Sequence, residues 1–398
     1  MSLRSNRLFF IDAMRAWAIL MMLQGHFIDG LLDPIFRNSE NLAYTTWLYF
    51  RGITAPVFFT VSGFIFTYLL IRVPEQGLAN PRIKKGIRRG LQLILIGYLL
   101  RLNIFGLLSG KVYGSFYLVD VLHCIGLSIL AIVGIYALSI KRKGWVFPSL
   151  LIVITLSLFL FEPLYKQWSF DFLPTAIANY FTKTNGSVFT IIPWLGYATM
   201  GSFLSFLFYR FKNFKRLYPT AIAIALIIGL GLIYYSSSFF SFLNENTGYA
   251  LFQLIESNNY LFIRLGDVFV VFAIFMFLRG IMNNKTILKI GASTLSIYVI
   301  HFIILYGSFT GLGLYRFFNH SLSPAFVIPG ALIFMVSCTF LALLYHKKEA
   351  YVKTQITVQI EVAKNWLEST LKKAAPIIKE WALKIRVFLN RIFGTVRN

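Results

Sequence analysis

The chain has 398 residues, 57% of them hydrophobic and only 13% charged, with a net charge of +23 and a mean hydropathy of +0.69. Soluble domains carry nearer a quarter of charged residues. The composition therefore excludes an ordinary soluble enzyme and predicts an all-α polytopic membrane protein, because many apolar stretches exceed the ~20 residues a spanning helix needs.

Ten spans are expected in one bundle, at approximately 8–28, 47–71, 90–109, 117–139, 145–162, 187–209, 218–239, 261–282, 288–310 and 323–346. No internal repeat and no Gly/Ser-rich linker divides them, so residues 1–346 read as one domain and 347–398 as an appendage. The first segment is too long and too polar for a cleavable signal peptide. Cys124 and Cys338 both sit in apolar runs and read as small core hydrophobes.

The first segment carries Arg15 and His26. At about 100° per residue, eleven residues bring His26 back to within roughly 20° of Arg15, some 16.5 Å further along the axis. One stripe bearing a cation and an imidazole at two depths predicts a membrane-embedded site for a long substrate, since intramembrane ionisable groups usually face a bundle interior or a wet cavity. The plainer alternative pairs Arg15 with Asp12, three residues back, and leaves His26 as an interfacial histidine.

Charge predicts orientation. With the N-terminus and every second loop assigned to one side, that side holds 29 Lys/Arg, the other holds 5, and Arg15, Arg51, Arg101 and Arg264 lie within spans. Such asymmetry is the positive-inside pattern, so both termini are expected in the cytoplasm. The net charge is then explained by topology and anionic lipid, with no nucleic-acid partner.

Orientation predicts depth. Asp12 and Arg15 fall near the cytoplasmic face; His26, Asp29, Arg51, Arg101, Asp120, His123, Arg264, Asp267 and His301 fall in the outer half. Isolated in lipid, each would cost several kcal/mol. One shared polar cavity is the expected solution. Each member also has a structural alternative: Arg264 with Asp267 and Asp120 with His123 suit local i,i+3 pairs, Arg51 and Arg101 suit snorkelling, and His301 suits a hydrogen-bonded core histidine. His320, in an outer loop, and His346, at a helix end, are assigned no role.

Five segments, in order, carry a resemblance. Arg15-x10-His26 resembles the first-helix signature of integral membrane acyltransferases. Arg51-Gly-Ile-Thr-Ala-Pro-Val-Phe-Phe-Thr-Val-Ser-Gly-Phe64 resembles their second-helix motif, and Gly291-Ala-Ser-Thr-Leu-Ser-Ile-Tyr-Val-Ile-His301 their late Tyr-x-x-His element. Val119-Asp-Val-Leu-His-Cys-Ile-Gly126 and Ile192-Pro-Trp-Leu-Gly-Tyr197 are similar to segments of bacterial relatives of heparan-alpha-glucosaminide N-acetyltransferase. The likeness covers roughly 7–345 and includes the acyltransferase-3 type.

The resemblance implies transfer of an acyl group from acyl-CoA or acetyl-CoA to a hydroxyl or amine of a sugar or lipid-linked acceptor, with no metal. It implies His26, Asp29 and His301 as catalytic residues. Arg15, Arg51, Arg101, Asp120, Trp194, Arg264, Asp267 and Tyr298 are expected to bind substrate or acyl-CoA. The chemistry is compatible, since acyl transfer needs a base for the acceptor and a donor for the developing oxyanion. Asp29, near His26, is expected to fix its tautomer. Direct transfer and a covalent acyl-histidine both remain open. A bacterial cytoplasmic membrane, contact with membrane lipids and room for a homodimer complete the expectation. The rival from another class is a transporter or flippase, which often shows inverted repeats; none is evident here.

In the tail, Trp366, Leu367, Leu371, Ala374, Ile378, Trp381, Ile385, Phe388 and Ile392 recur at three- and four-residue steps among lysines and arginines. This predicts a basic amphipathic helix on the cytoplasmic leaflet, bent at Pro376, or a short coiled coil.

Overall fold

The computed structural model of the protein describes residues 8–75 and 77–393. The first helices are α1 (Phe9–Leu31), α2 (Leu42–Ile71), α3 (Pro81–Arg101), α4 (Ile104–Leu108), α5 (Val121–Ser139), α6 (Val146–Leu160), α7 (Glu162–Tyr165) and α8 (Thr175–Ala178). They continue as α9 (Ile191–Arg210), α10 (Leu217–Thr247), α11 (Ala250–Ser257), α12 (Tyr260–Phe277), α13 (Lys285–Ala292), α14 (Thr294–Tyr306), α15 (Leu314–Phe318) and α16 (Pro324–Phe393). Among the described residues there is no strand, only isolated bridges at Leu32–Leu322 and Asn103–Phe309.

Each of the ten expected spans meets at least one helix, but the count of ten is not established. Among the described residues six helices are long and apolar enough to cross a membrane, and a seventh arises if α13 and α14, bent by 66°, form one span. The physical reasons for the shortfall differ. The α1 helix is diluted by Asp12, Arg15, Gln24, His26 and Asp29; α3 begins with a run of lysines and arginines; α6 has only 15 residues.

Local sequence sets several helix ends. Asn41 accepts hydrogen bonds from Ala43 and Tyr44 N–H and so caps α2. Asn80 caps α3 in the same way, with Pro81 in the first turn. Asp120 and His123 form a reciprocal cap at the start of α5: the carboxylate accepts from Leu122 N–H at 3.0 Å, and His123 Nδ1 lies 3.2 Å from Asp120 N.

Close helix contacts depend on small residues, as is usual where lipid removes the hydrophobic drive between helices. At the α2–α9 crossing, a Cβ on Gly63 would lie 2.0 Å from the Ala198 carbonyl oxygen, and one on Gly201 only 1.8 Å from that of Thr60. No larger residue fits without separating the helices. At the end of the bundle nearer Arg15, Phe10 of α1 packs edge-on to Phe64 and Phe272 and tilted against Phe208.

The chain divides into two compact units, Met1–Ala342 and Leu343–Asn398. In the second, α16 remains helical through Pro376 to Phe393, so the helix is not interrupted there. Trp366 and Ile385 are exposed, at 67% and 54%. The side chains of Leu367, Leu371, Ala374, Ile378, Trp381, Phe388 and Ile392, on which the amphipathic pattern rests, lie outside the described residues.

Candidate active site

Helix α1 opens into two cavities, one near each end. The first, about 780 Å³, is lined by Asp12 and Arg15 of α1, Phe64 and Tyr68 of α2, Arg72, Tyr209, Lys212 and Ala292, among others. Arg15 donates to Thr294 Oγ1 at 3.0 Å and lies 3.7 Å from Asp12. The Asp12 pairing anticipated from spacing is therefore present, and the guanidinium still borders the cavity. Lys212 stands 4.2 Å over the Tyr209 ring and Arg72 6.0 Å over that of Tyr68. Three cations and two phenol rings at one mouth suit an anionic group with an aromatic base.

The second cavity, about 660 Å³, lies eleven residues further along α1. His26, Arg101, Asp120, Phe189, Tyr298, Phe302, Tyr306 and Tyr315 line it, with Asn103, Tyr113, Ser115 and Ser308 adding polar groups. His26 Nδ1 is 2.8 Å from the Tyr306 hydroxyl, and its ring centroid is 5.3 Å from that of His301. His301 is fully buried behind the cavity wall, edge-on to Tyr298 at 4.8 Å. No described side chain hydrogen-bonds either nitrogen of His301; its neighbours are its own helix's carbonyls at Ile297 and Tyr298. Arg101 pairs with Asp120 at 3.3 Å and faces the Phe302 ring at 5.9 Å. The rim is closed by main-chain bonds from Ile104 N–H to Phe309 and from Phe309 N–H to Leu102.

Between the cavities α1 contributes Ile19 and Leu23 and α14 contributes Ile297, each fully buried. Arg15 meets the first residue of α14, and His26 meets its last. The two helices therefore run in the same direction past both cavities.

One shared polar cavity does not form. Of the nine groups expected in the outer half, His26, Arg101 and Asp120 line the second cavity, and His301 stands directly behind it. The Asp29 carboxylate closes on Arg51 and not on the imidazole of His26, while its carbonyl accepts from Arg37. Arg264 and Asp267 bond each other at 2.9 Å, and Tyr49 donates to Asp267 at 2.6 Å beneath the guanidinium. That group joins α2 to α12 and lines neither cavity. His123 serves the α5 cap, edge-on to Tyr98 at 4.4 Å. Trp194 lies behind the second cavity, packed on Phe59 and on the wall residue Phe189, with its Nε1 buried and unbonded.

Sequence reasoning missed Tyr306, Thr294, Arg72, Lys212 and Tyr68. Thr294 stood inside a quoted motif without a role. Tyr306 lies five residues past His301, off that residue's helical stripe. Arg72 and Lys212 were counted as loop charges.

These elements describe a polytopic helical protein in which one helix, α1, carries an imidazole, His26, at one chamber and a cation, Arg15, at another. The chain matches the Acyltransferase domain family, of the acyltransferase-3 type, over residues 8–344, and belongs to that family. It is accordingly an integral membrane acyltransferase. Comparison with curated proteins finds no match.

Proposed function

We propose that the protein moves an acyl group from cytoplasmic acyl-CoA, acetyl-CoA being the simplest donor, to a hydroxyl or amine of a sugar or lipid-linked acceptor in the outer half of the membrane. The observation that carries this reading is the placement of Arg15 and His26 on one helix but in separate cavities. Arg15, Arg72 and Lys212 would bind the donor's phosphates. Tyr68 and Tyr209 offer faces for its adenine. The pantetheine arm is of the right order to cover the ~16.5 Å to His26. Around the imidazole, Arg101, Asp120, Tyr298 and Ser308 would read acceptor hydroxyls, and Phe189 and Phe302 would pack on a ring.

In direct transfer, His26 takes the acceptor's proton as the acceptor oxygen or nitrogen attacks the thioester carbon. The C–S bond then breaks, and the imidazolium returns the proton to the leaving thiolate. In the covalent variant His26 Nε2 attacks the thioester carbon and the C–S bond breaks to release the CoA thiolate; the acceptor then attacks the acyl-imidazole, the N–C bond breaks, and the acceptor's proton passes to the thiolate or to water. Both place His26 at the reacting carbon and need the two cavities to communicate during turnover. Asp29, Arg51, Arg264, Asp267 and Trp194 act in this scheme as supports, not as binding groups.

The test is label transfer from radiolabelled acetyl-CoA, using purified protein in liposomes with extracted envelope glycans and glycolipids as acceptors. Transfer that disappears with His26→Ala supports the reading. Solute movement without thioester consumption would replace it with the transporter alternative.

A further inference from the structure

We propose that Tyr306 is a positioning residue that fixes the tautomer of His26, accepting a hydrogen bond from Nδ1–H so that Nε2 stays basic. This rests on the reading of His26 as the group that attacks or deprotonates.

An imidazole base needs a partner for its second nitrogen, because the partner decides which nitrogen carries the proton. A carboxylate is the usual choice. Here Asp29 is engaged by Arg51, and Asp120 is engaged by Leu122 N–H, His123 and Arg101. The Tyr306 hydroxyl, 2.8 Å from Nδ1, is the one hydrogen-bond partner of the His26 ring among the described residues. A phenol can donate or accept. If it donated, Nε2 would hold the proton and His26 could neither deprotonate nor attack. If it accepts, Nε2 presents its lone pair, and the phenol's own hydrogen is free to turn into the cavity that both residues line. That hydrogen would then be placed to stabilise charge developing on the reacting oxygen.

The fold holds the phenol tightly enough for this. Tyr306 is the last residue of α14. Gly307 ends the helix in the left-handed region at φ +71°, and a Cβ there would lie 2.2 Å from Gly313 N, so the chain folds back at once. The ring sits between Phe302 at 4.8 Å and Tyr315 at 5.8 Å. Tyr315 in turn packs against Gly30 of α1, where a Cβ would meet its ring at 3.2 Å. Nδ1 and Oη are thus fixed from both helices.

The experiment is nitrogen-15 NMR of histidine-labelled full-length protein in nanodiscs. With five histidines in the chain, the His26 signals are assigned by their loss in His26→Asn. The expected wild-type spectrum at neutral pH shows a protonated Nδ1 and a bare Nε2. Tyr306→Phe should give a tautomer mixture weighted toward Nε2–H. With CoA release from acetyl-CoA as the probe, it should lower kcat roughly 10- to 100-fold and leave the donor KM within about twofold. A wild-type His26 carrying its proton on Nε2 overturns the proposal, and that measurement needs no variant to fold. An unchanged tautomer in folded Tyr306→Phe overturns it equally. If the tautomer responds as expected but His26→Ala retains turnover, the positioning by Tyr306 stands and the catalytic reading of His26 fails.

Discussion

Asp29 stands three residues beyond His26 on α1, and its carboxylate closes on Arg51 of α2. The Arg51 stem also passes Gly25, where a Cβ would lie 3.5 Å from it. The pair therefore ties α1 to α2 beside the imidazole without touching it. Half-exposed pairs of this kind contribute up to about 1 kcal/mol. Asp29→Asn should lower thermal stability slightly and leave the pH profile of turnover in place. A profile displaced by a full pH unit would return Asp29 to the mechanism.

For His26 the expectation is larger and chemical. His26→Ala should reduce acyl transfer by about 10²- to 10⁴-fold, the usual span for loss of a general base, with CoA affinity nearly unchanged. Isothermal titration with CoA beside a turnover assay separates the two effects. Near-normal turnover by folded variant protein would make His301, 5.3 Å away, the next residue to test.

At the other end of α1 the effects should reverse. Arg15→Ala should weaken CoA binding about 10- to 100-fold, as for loss of a charged hydrogen bond. Thr294→Val removes only the hydroxyl that holds the guanidinium and should cost roughly threefold to tenfold. Unchanged affinity in both would confine Arg15 to its structural contacts with Asp12 and Thr294.

Arg264, Asp267 and Tyr49 offer a stability test away from both cavities. Asp267 is only 4% exposed. Removing one partner of a buried pair is worth about 3–5 kcal/mol, while replacing both by apolar groups is often nearly neutral. Asp267→Asn should therefore melt well below the parent, and Arg264→Met with Asp267→Leu should recover most of the loss. Folded double variant should keep its turnover; a loss there with stability restored would bring this pair into the chemistry.

Orientation is open to direct labelling. Cysteine at Lys166 or His320 should react with an impermeant reagent from outside, and cysteine at Arg142 should not. The reverse pattern would place the donor cavity on the wrong side for cytoplasmic CoA.

Much of the helical order was legible because long apolar runs leave few alternatives. The Arg15–His26 relationship was legible because both lie on one helix, where spacing alone sets geometry. What failed was convergence between helices. The charge pattern spoke only to depth along the membrane normal and carried nothing about rotation around each helix axis. Arg264, Asp267, Asp29 and Arg51 were expected at the depth of His26, yet they close into pairs of their own. Tyr306 and Thr294 escaped for the same reason: each meets α1 from nearly 280 residues away, a distance across which no periodicity carries information. The local pairing of Asp120 with His123 was visible in their spacing, whereas their reciprocal cap of α5 was not.

The fully buried layer of Ile19, Leu23 and Ile297 has a consequence for the cell's energy supply. A membrane protein with a chamber near each end of one helix risks becoming a leak for protons and ions. Three aliphatic side chains across the middle present no hydrogen-bonding group from which a hopping proton or a hydrated cation could be passed on. In the proposed reaction a slender, flexible thioester arm would part these side chains and let them close behind, whereas an ion would have to shed its water first. Under the proposed function, these few methyl groups between the two chambers would let acyl chemistry be carried out across a membrane that stays electrically sealed.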